Sequence, residues 1–112
     1  MLKVMPFLLT ISLVWGQSPP PLSEWQEFLV LDGGHTPGGL FQDAVAIDLD
    51  SEGNLFAVDR GRHRIIKYNA NQNFVREIGG FGSSGDQFSS PSDIDAHLTL
   101  NIFVSDFNNN RI

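Results

Sequence analysis

Residues 44–65 read AVAIDLDSEGNLFAVDRGRHRI, and residues 91–112 read PSDIDAHLTLNIFVSDFNNNRI. Laid over each other at an offset of 47, they share Ile47/Ile94, Asp48/Asp95, Asn54/Asn101, Phe56/Phe103, Asp59/Asp106, Arg64/Arg111 and Ile65/Ile112. The match runs back through Phe41/Phe88 and Gly38/Gly85 to Gly33/Gly80, giving ten identities in 33 comparisons. Composition alone would give about two. A repeat of this length marks a stacked or radial array, in which one unit cannot bury its own apolar face and its neighbours supply the cover.

The unit is built of strands. Val45, Ile47 and Leu49 alternate with Ala44, Ala46 and Asp48, the period-two pattern of a strand with one apolar face and one of small or polar groups. Ser51 to Asn54 is a turn, and Leu55 to Val58 is apolar at every position, which predicts a central strand covered on both sides. Asp59 to His63 turns the chain, Arg64 to Tyr68 forms a third strand, Asn69 to Asn73 a loop and Phe74 to Ile78 a fourth strand. The next unit begins with strands at Ser92 to Ala96 and Ile102 to Asp106, and Arg111 and Ile112 open a third. At the other end, Trp25 to Leu31 aligns with Gln72 to Ile78 and reads as the outer strand, over 25–32, of another unit. None of these runs has helical spacing. The fold class is all-β. Four antiparallel strands in about 47 residues is the size of one propeller blade, so residues 25–112 predict an incomplete propeller, with a full repeat over about 41–80 and a truncated one over about 88–112. With so few neighbours, Leu55, Phe56, Ala57 and Val58 are expected to stay partly exposed and the chain to associate or unfold.

The segments from Ala46 to Asp59 with Arg62 to Ile65, and from Pro91 to Asp106 with Asn108 to Ile112, resemble the NHL repeat. That pattern places a Pro before a first strand ending in Asp, a Gly-Asn turn, a second strand ending near Val-x-Asp, and then Asn-x-Arg-Ile. Ala44 stands in the Pro position of the first copy and Leu100 in the turn-Gly position of the second. The resemblance implies blades of four antiparallel strands, with the remaining blades of a propeller as partners.

Ahead of the repeats, Lys3 precedes an apolar run from Val4 to Trp15, and Val14-Trp15-Gly16 offers a signal-peptidase site. Residues 1–16 therefore read as a secretory signal peptide cut before Gln17, too short to span a bilayer. Residues 17–24 follow as a Pro-rich spacer, in which Pro19, Pro20 and Pro21 cannot donate to a sheet. The expected setting is secreted, periplasmic or at the cell envelope. The chain carries a formal charge of −6, which repels phosphate backbones and argues against nucleic acid as a partner. There is no cysteine, so thiolate catalysis, Cys-based zinc sites and disulfide stapling are excluded.

The residues singled out are Asp59 with Arg64 and Asp106 with Arg111, each pair five apart across the turn between second and third strands. A catalytic pair would be unique, whereas this one recurs, so it reads as a structural ion pair holding the turn. Gly80-Phe81-Gly82-Ser83-Ser84-Gly85 matches a dinucleotide fingerprint in spacing. A strand follows it where the fingerprint needs a helix, so it reads as a loop. Asp48, Asp50, Glu52, Gly53 and Asp59 imitate a calcium loop, but His97, Thr99 and Leu100 replace three of its positions in the second copy, and no calcium or other cofactor is expected. His35, His63 and His97 have no ligand spacing and read as exposed turn residues. No catalytic set emerges. The expected function is binding of a protein or other extracellular ligand on loop-rich faces. The alternative is a fragment of a secreted propeller enzyme, of the lyase or lactonase type that the family resemblance brings with it, holding a metal in the channel. Export, acidity and the missing zinc-ligand cysteines argue against the family's intracellular RNA-binding or ubiquitin-pathway scaffolds.

Overall fold

A computed structural model describes residues 2–4, 29–98 and 100–112. The chain divides into two units, Met1–Asp32 and Gly33–Ile112. In the first, β1 (Leu2–Val4) pairs antiparallel with β2 (Leu29–Leu31). Three residues of the segment read as a signal peptide thus lie in a ribbon within this chain. The remainder of that segment, the Pro-rich spacer and Trp25 to Phe28 of the expected outer strand lie outside the described residues.

The second unit is all-β and antiparallel. One sheet has the order β3 (Ala44–Leu49), β4 (Leu55–Asp59), β5 (Arg64–Tyr68), β6 (Phe74–Gly79), and the next consists of β7 (Pro91–Asp95) and β8 (Phe103–Asp106). The meander follows from turn chemistry at each corner. The Asp50 carboxylate accepts the N–H groups of Glu52 and Asn54, each at 2.9 Å, and Gly53 takes φ +82° between them. At the β5–β6 corner, Asn69 Oδ1 accepts from the N–H groups of Asn71 and Asn73. Both are side-chain-to-backbone bonds that favour a turn over a continued strand.

The offset of 47 is a structural translation as well as a sequence one. Ala44 pairs with Asp59 and Pro91 with Asp106, and each ladder shifts register at the same place, between Ala44 and Ala46 and between Pro91 and Asp93. A 3-10 turn follows each second strand, Arg60–Arg62 and Phe107–Asn109, and each closes on a left-handed residue, His63 at φ 53° and Asn110 at φ 50°. His and Asn are among the few side chains that tolerate this conformation.

The core lies between the two sheets. Phe56, Val58 and Ile65 of the first sheet meet Ile94, Ala96 and Val104, with Ile78 and Phe88 packed at the margin. The Asp48 carboxylate accepts the Ala96 N–H at 2.7 Å, tying the sheets together. One expectation is corrected here: Phe56, Ala57 and Val58 are buried and only Leu55 is partly so, Phe56 and Val58 because the second sheet covers their face, and Ala57 on the other face between Ile47 and Ile66 of the flanking strands. The exposed apolar surface lies elsewhere. After the bulge, Ala46 and Asp48 share the covered face with Val58 and Phe56, so Ile47 and Leu49 point the other way and stand half exposed. Repeat-equivalent residues therefore differ in cover: Ile47 is 52% exposed and Ile94 7%, while Phe56 is 4% exposed and Phe103 49%.

Gly33 shows why the loop before β3 needs its glycine. It sits at φ +83°, and a Cβ there would lie 2.9 Å from the backbone nitrogen of Phe41. Gly33→Ala is expected to cost about 1–3 kcal/mol in urea unfolding. In the same measurement Ile65→Ala, which opens a cavity in the inter-sheet core, should cost about 2–5 kcal/mol, and Ile47→Ala less than about 1 kcal/mol.

Candidate functional site

The two Asp–Arg pairs are the most connected polar groups in the second unit. Asp59 ends β4 and Arg64 opens β5, so the antiparallel register sets them opposite each other. Arg64 Nε donates to Asp59 Oδ2 at 3.0 Å, with both side chains withdrawn from solvent. A charge pair so buried is tolerable only if its remaining hydrogen-bonding positions are filled. They are filled from the loop before β3. Asp59 Oδ1 accepts the N–H groups of Asp43 at 3.0 Å and Gln42 at 3.2 Å. Arg64 Nη1 donates to Thr36 Oγ1 at 2.8 Å, and Nη2 donates to the Gly39 carbonyl at 2.6 Å. The Thr36 hydroxyl in turn donates to the Gly33 carbonyl at 2.7 Å. Glu77 lies 3.5 Å from Nη1, and the guanidinium carbon is 5.7 Å from the Phe41 ring centre.

The second copy repeats this arrangement. Arg111 Nε donates to Asp106 Oδ2 at 3.0 Å, and Asp106 Oδ1 accepts the Ser89 N–H at 2.7 Å. Arg111 donates to the carbonyls of Ser83, Ser84 and Gln87. Asn109 adds a bond to Asp106 Oδ2 at 2.7 Å. Burial works to raise the Asp106 pKa, but Asn109, the Ser89 N–H and Arg111 together outweigh it and hold the carboxyl below its ordinary value. Each pair thus clamps the loop that leads into its own sheet.

The other singled-out residues are engaged at several places. Asp48 is engaged with the Ala96 N–H, Asp59 sits in the clamp, and Asp50 accepts from Glu52, Asn54 N–H and Asn54 Nδ2. Of the four carboxylates that imitated a calcium loop, Asp48 and Asp59 thus serve separate places, while Asp50 and Glu52 both accept from Asn54 Nδ2, at 2.8 and 3.4 Å. Burial works to raise the Asp50 pKa, but its bonds from Asn54 and Glu52 outweigh this and lower it. Gly80 to Gly85 forms a loop pinned by the Gly82 N–H to the Phe88 carbonyl at 2.9 Å, and β7 follows it. His35 is exposed. His97 pairs with Asp95 at the surface, and that hydrogen bond raises the His97 pKa. His63 departs from the expected exposed turn residue: its Nδ1 accepts the Ser90 N–H at 2.9 Å, and its ring stands edge-on to Phe81 at 4.9 Å. The loop partners Thr36, Gly39 and Ser89 carried no spacing signal, since their contribution is largely a backbone group or a hydroxyl at a position fixed by the turn. Among the described residues no helix is long and apolar enough to cross a membrane. No family model matches the chain, and no curated protein matches it.

Arg64→Ala is expected to cost about 3–5 kcal/mol, since it leaves Asp59 buried without its cation. Arg111→Ala should cost less, because Arg111 is about a third exposed and solvent can replace part of what it supplies. Chemical unfolding of both variants checks the order. Asp50 and Asp106 both titrate below the ordinary 3.8 in the folded chain, so their contribution is fully present above that value. It is lost as pH falls through their folded pKa values. Urea midpoints should hold from neutral pH to about pH 4 and then fall steeply. A midpoint unchanged at pH 2 would contradict this.

Proposed function

We propose that the chain is part of an exported β-propeller of NHL type that acts as a binding module for a protein or other extracellular ligand. The observation that carries the reading is the repeat-equivalent difference in cover: Ile47 and Phe103 are half exposed where their counterparts Ile94 and Phe56 are buried against a neighbouring sheet. Sheets of this kind are shaped for cover on both faces, as radial packing of blades requires. The clamp supports the same reading, since it spends both ion pairs on holding loops and leaves neither for chemistry. Binding then falls to the loop-rich ends of the sheets, where Ser51 to Gly53 and Asn71 stand exposed. Ligands are commonly held by loops on a rigid scaffold.

Export is tested by N-terminal sequencing of material recovered outside the cell. It should begin at or close to Gln17, and recovery of the intact chain only in the cytosol would refute export. Binding is tested by placing a photo-crosslinking residue at Asn71 of the exported chain. Saturable crosslinking to one extracellular species, absent when the crosslinker is moved to buried Val58, is expected. Equal and unsaturable labelling from both positions would refute a loop-borne site.

A further inference from the structure

We propose that His63 is a proton-operated latch between the two repeats: neutral, it holds the Ser90 N–H, and protonation lets it go. The inference stands on a difference between the two copies and not on the family reading. In the first copy, the N–H groups of Gln42 and Asp43 both turn to one carboxylate oxygen, Asp59 Oδ1, at 3.2 and 3.0 Å. The offset of 47 places Ser89 and Ser90 in their positions. Ser89 follows the pattern and donates to Asp106 Oδ1 at 2.7 Å. Ser90 departs from it: its N–H donates to His63 Nδ1 at 2.9 Å, on the turn after β4 in the preceding repeat. Ser90 also takes φ 56°, whereas Asp43 has no positive φ. A left-handed φ is uncommon for serine and out of place before a proline, here Pro91. The backbone at Ser90 is therefore strained, and the bonds to it have to hold it there.

Because Nδ1 accepts, the neutral ring carries its hydrogen on Nε2. A protonated imidazole donates from both nitrogens, so two N–H groups would then face each other where the Ser90 bond now lies. The groups around the ring do not offset that loss. Phe81, from the loop after β6, stands edge-on at 4.9 Å, and the Gly80 N–H donates to the His63 carbonyl at 2.8 Å. An apolar ring and a donor offer no lone pair to an Nδ1–H. The charged residues beside His63 in the chain are the cations Arg62, which donates to the Leu40 carbonyl, and Arg64, which is held in the clamp. Among the described residues no carboxylate pairs with His63. The acceptors of the clamp behave otherwise. Carboxylates ordinarily keep their charge down to about pH 4, whereas an imidazole ordinarily gains its proton near about pH 6.5. Asp106 is held lower still by its bonds. Mild acid therefore frees Ser90 while Ser89, Gln42 and Asp43 stay fastened, and the strain at Ser90 favours the same direction. What is freed is the segment that leads into β7, and with it the tie from the turn after β4 to the second sheet.

Nitrogen NMR and amide exchange of the unaltered chain, followed through a pH titration, test the latch. At about pH 7.5, above the ordinary imidazole range, the His63 ring should show Nδ1 as its unprotonated nitrogen and the Ser90 amide should be protected. As the His63 ring titrates, Ser90 protection, corrected for the intrinsic exchange rate, should fall at least about tenfold, the worth of one hydrogen bond, while that of Asp43 holds. The variant H63N keeps an acceptor that does not titrate. Asparagine already stands at the equivalent position, Asn110, in the same left-handed conformation. In H63N the fall should vanish, although His35 and His97 still titrate. An Nδ1–H tautomer at neutral pH, Ser90 protection that stays level through the His63 titration, or the same fall in H63N would overturn the proposal.

Discussion

The constraint on which the second unit depends is that Asp59 and Arg64 are buried as ions. Antiparallel pairing of β4 and β5 sets them opposite each other, and withdrawal from solvent leaves every unfilled oxygen and N–H group costly. The loop from Gly33 to Asp43 answers that demand with two backbone N–H groups, a hydroxyl and a carbonyl. An otherwise irregular segment thereby acquires one conformation. It delivers Ala44 in register opposite Asp59. The ion pair thus fixes the order of strand, loop and strand more than it contributes net stability, in keeping with the small or negative net worth of buried pairs against apolar alternatives.

Repeated at Asp106 and Arg111, the same constraint has a second effect. Both clamps lie at the same end of their sheets, and both fasten the segment that arrives there to the turn after the second strand. Between the two sheets, Ile94 packs with Phe56 in the shared core. The packing between β3–β4 and β7 joins the two sheets, and Ile47 and Phe103 lie half exposed on the faces turned away from it.

Much of this was legible in the sequence. The strands from Leu55 to Tyr68, the turns at Ser51 and Asn69 and the Asp–Arg pairing followed from period-two alternation, turn residues and the repeat itself. What was not legible depended on geometry that spacing does not encode. The bulge between Ala44 and Ala46 has its equivalent between Pro91 and Asp93, yet Ile47 lies on an uncovered face and Ile94 on a covered one, and which face a neighbouring sheet covers is not written in the residues. Burial of Phe56 and Val58 depended on how completely two strands can cover a four-stranded sheet, a matter of area rather than pattern. The loop partners of the clamp were hidden for a simpler reason, since backbone N–H and carbonyl groups carry no side-chain identity. His63 was misread because a histidine in a turn gives no sign of its αL backbone or of the Ser90 N–H aimed at its ring.

The most direct test is amide hydrogen exchange in the unaltered chain at Asp43 and Ser89, whose N–H groups donate to Asp59 and Asp106. Both lie outside the strands, where amides ordinarily exchange fast. If the carboxylates hold the loops, both amides should exchange on the slow timescale of the β4 amides. Exchange at the rate of the exposed turn residue His35 or faster would contradict the clamp and the ordering of the loops that follows from it.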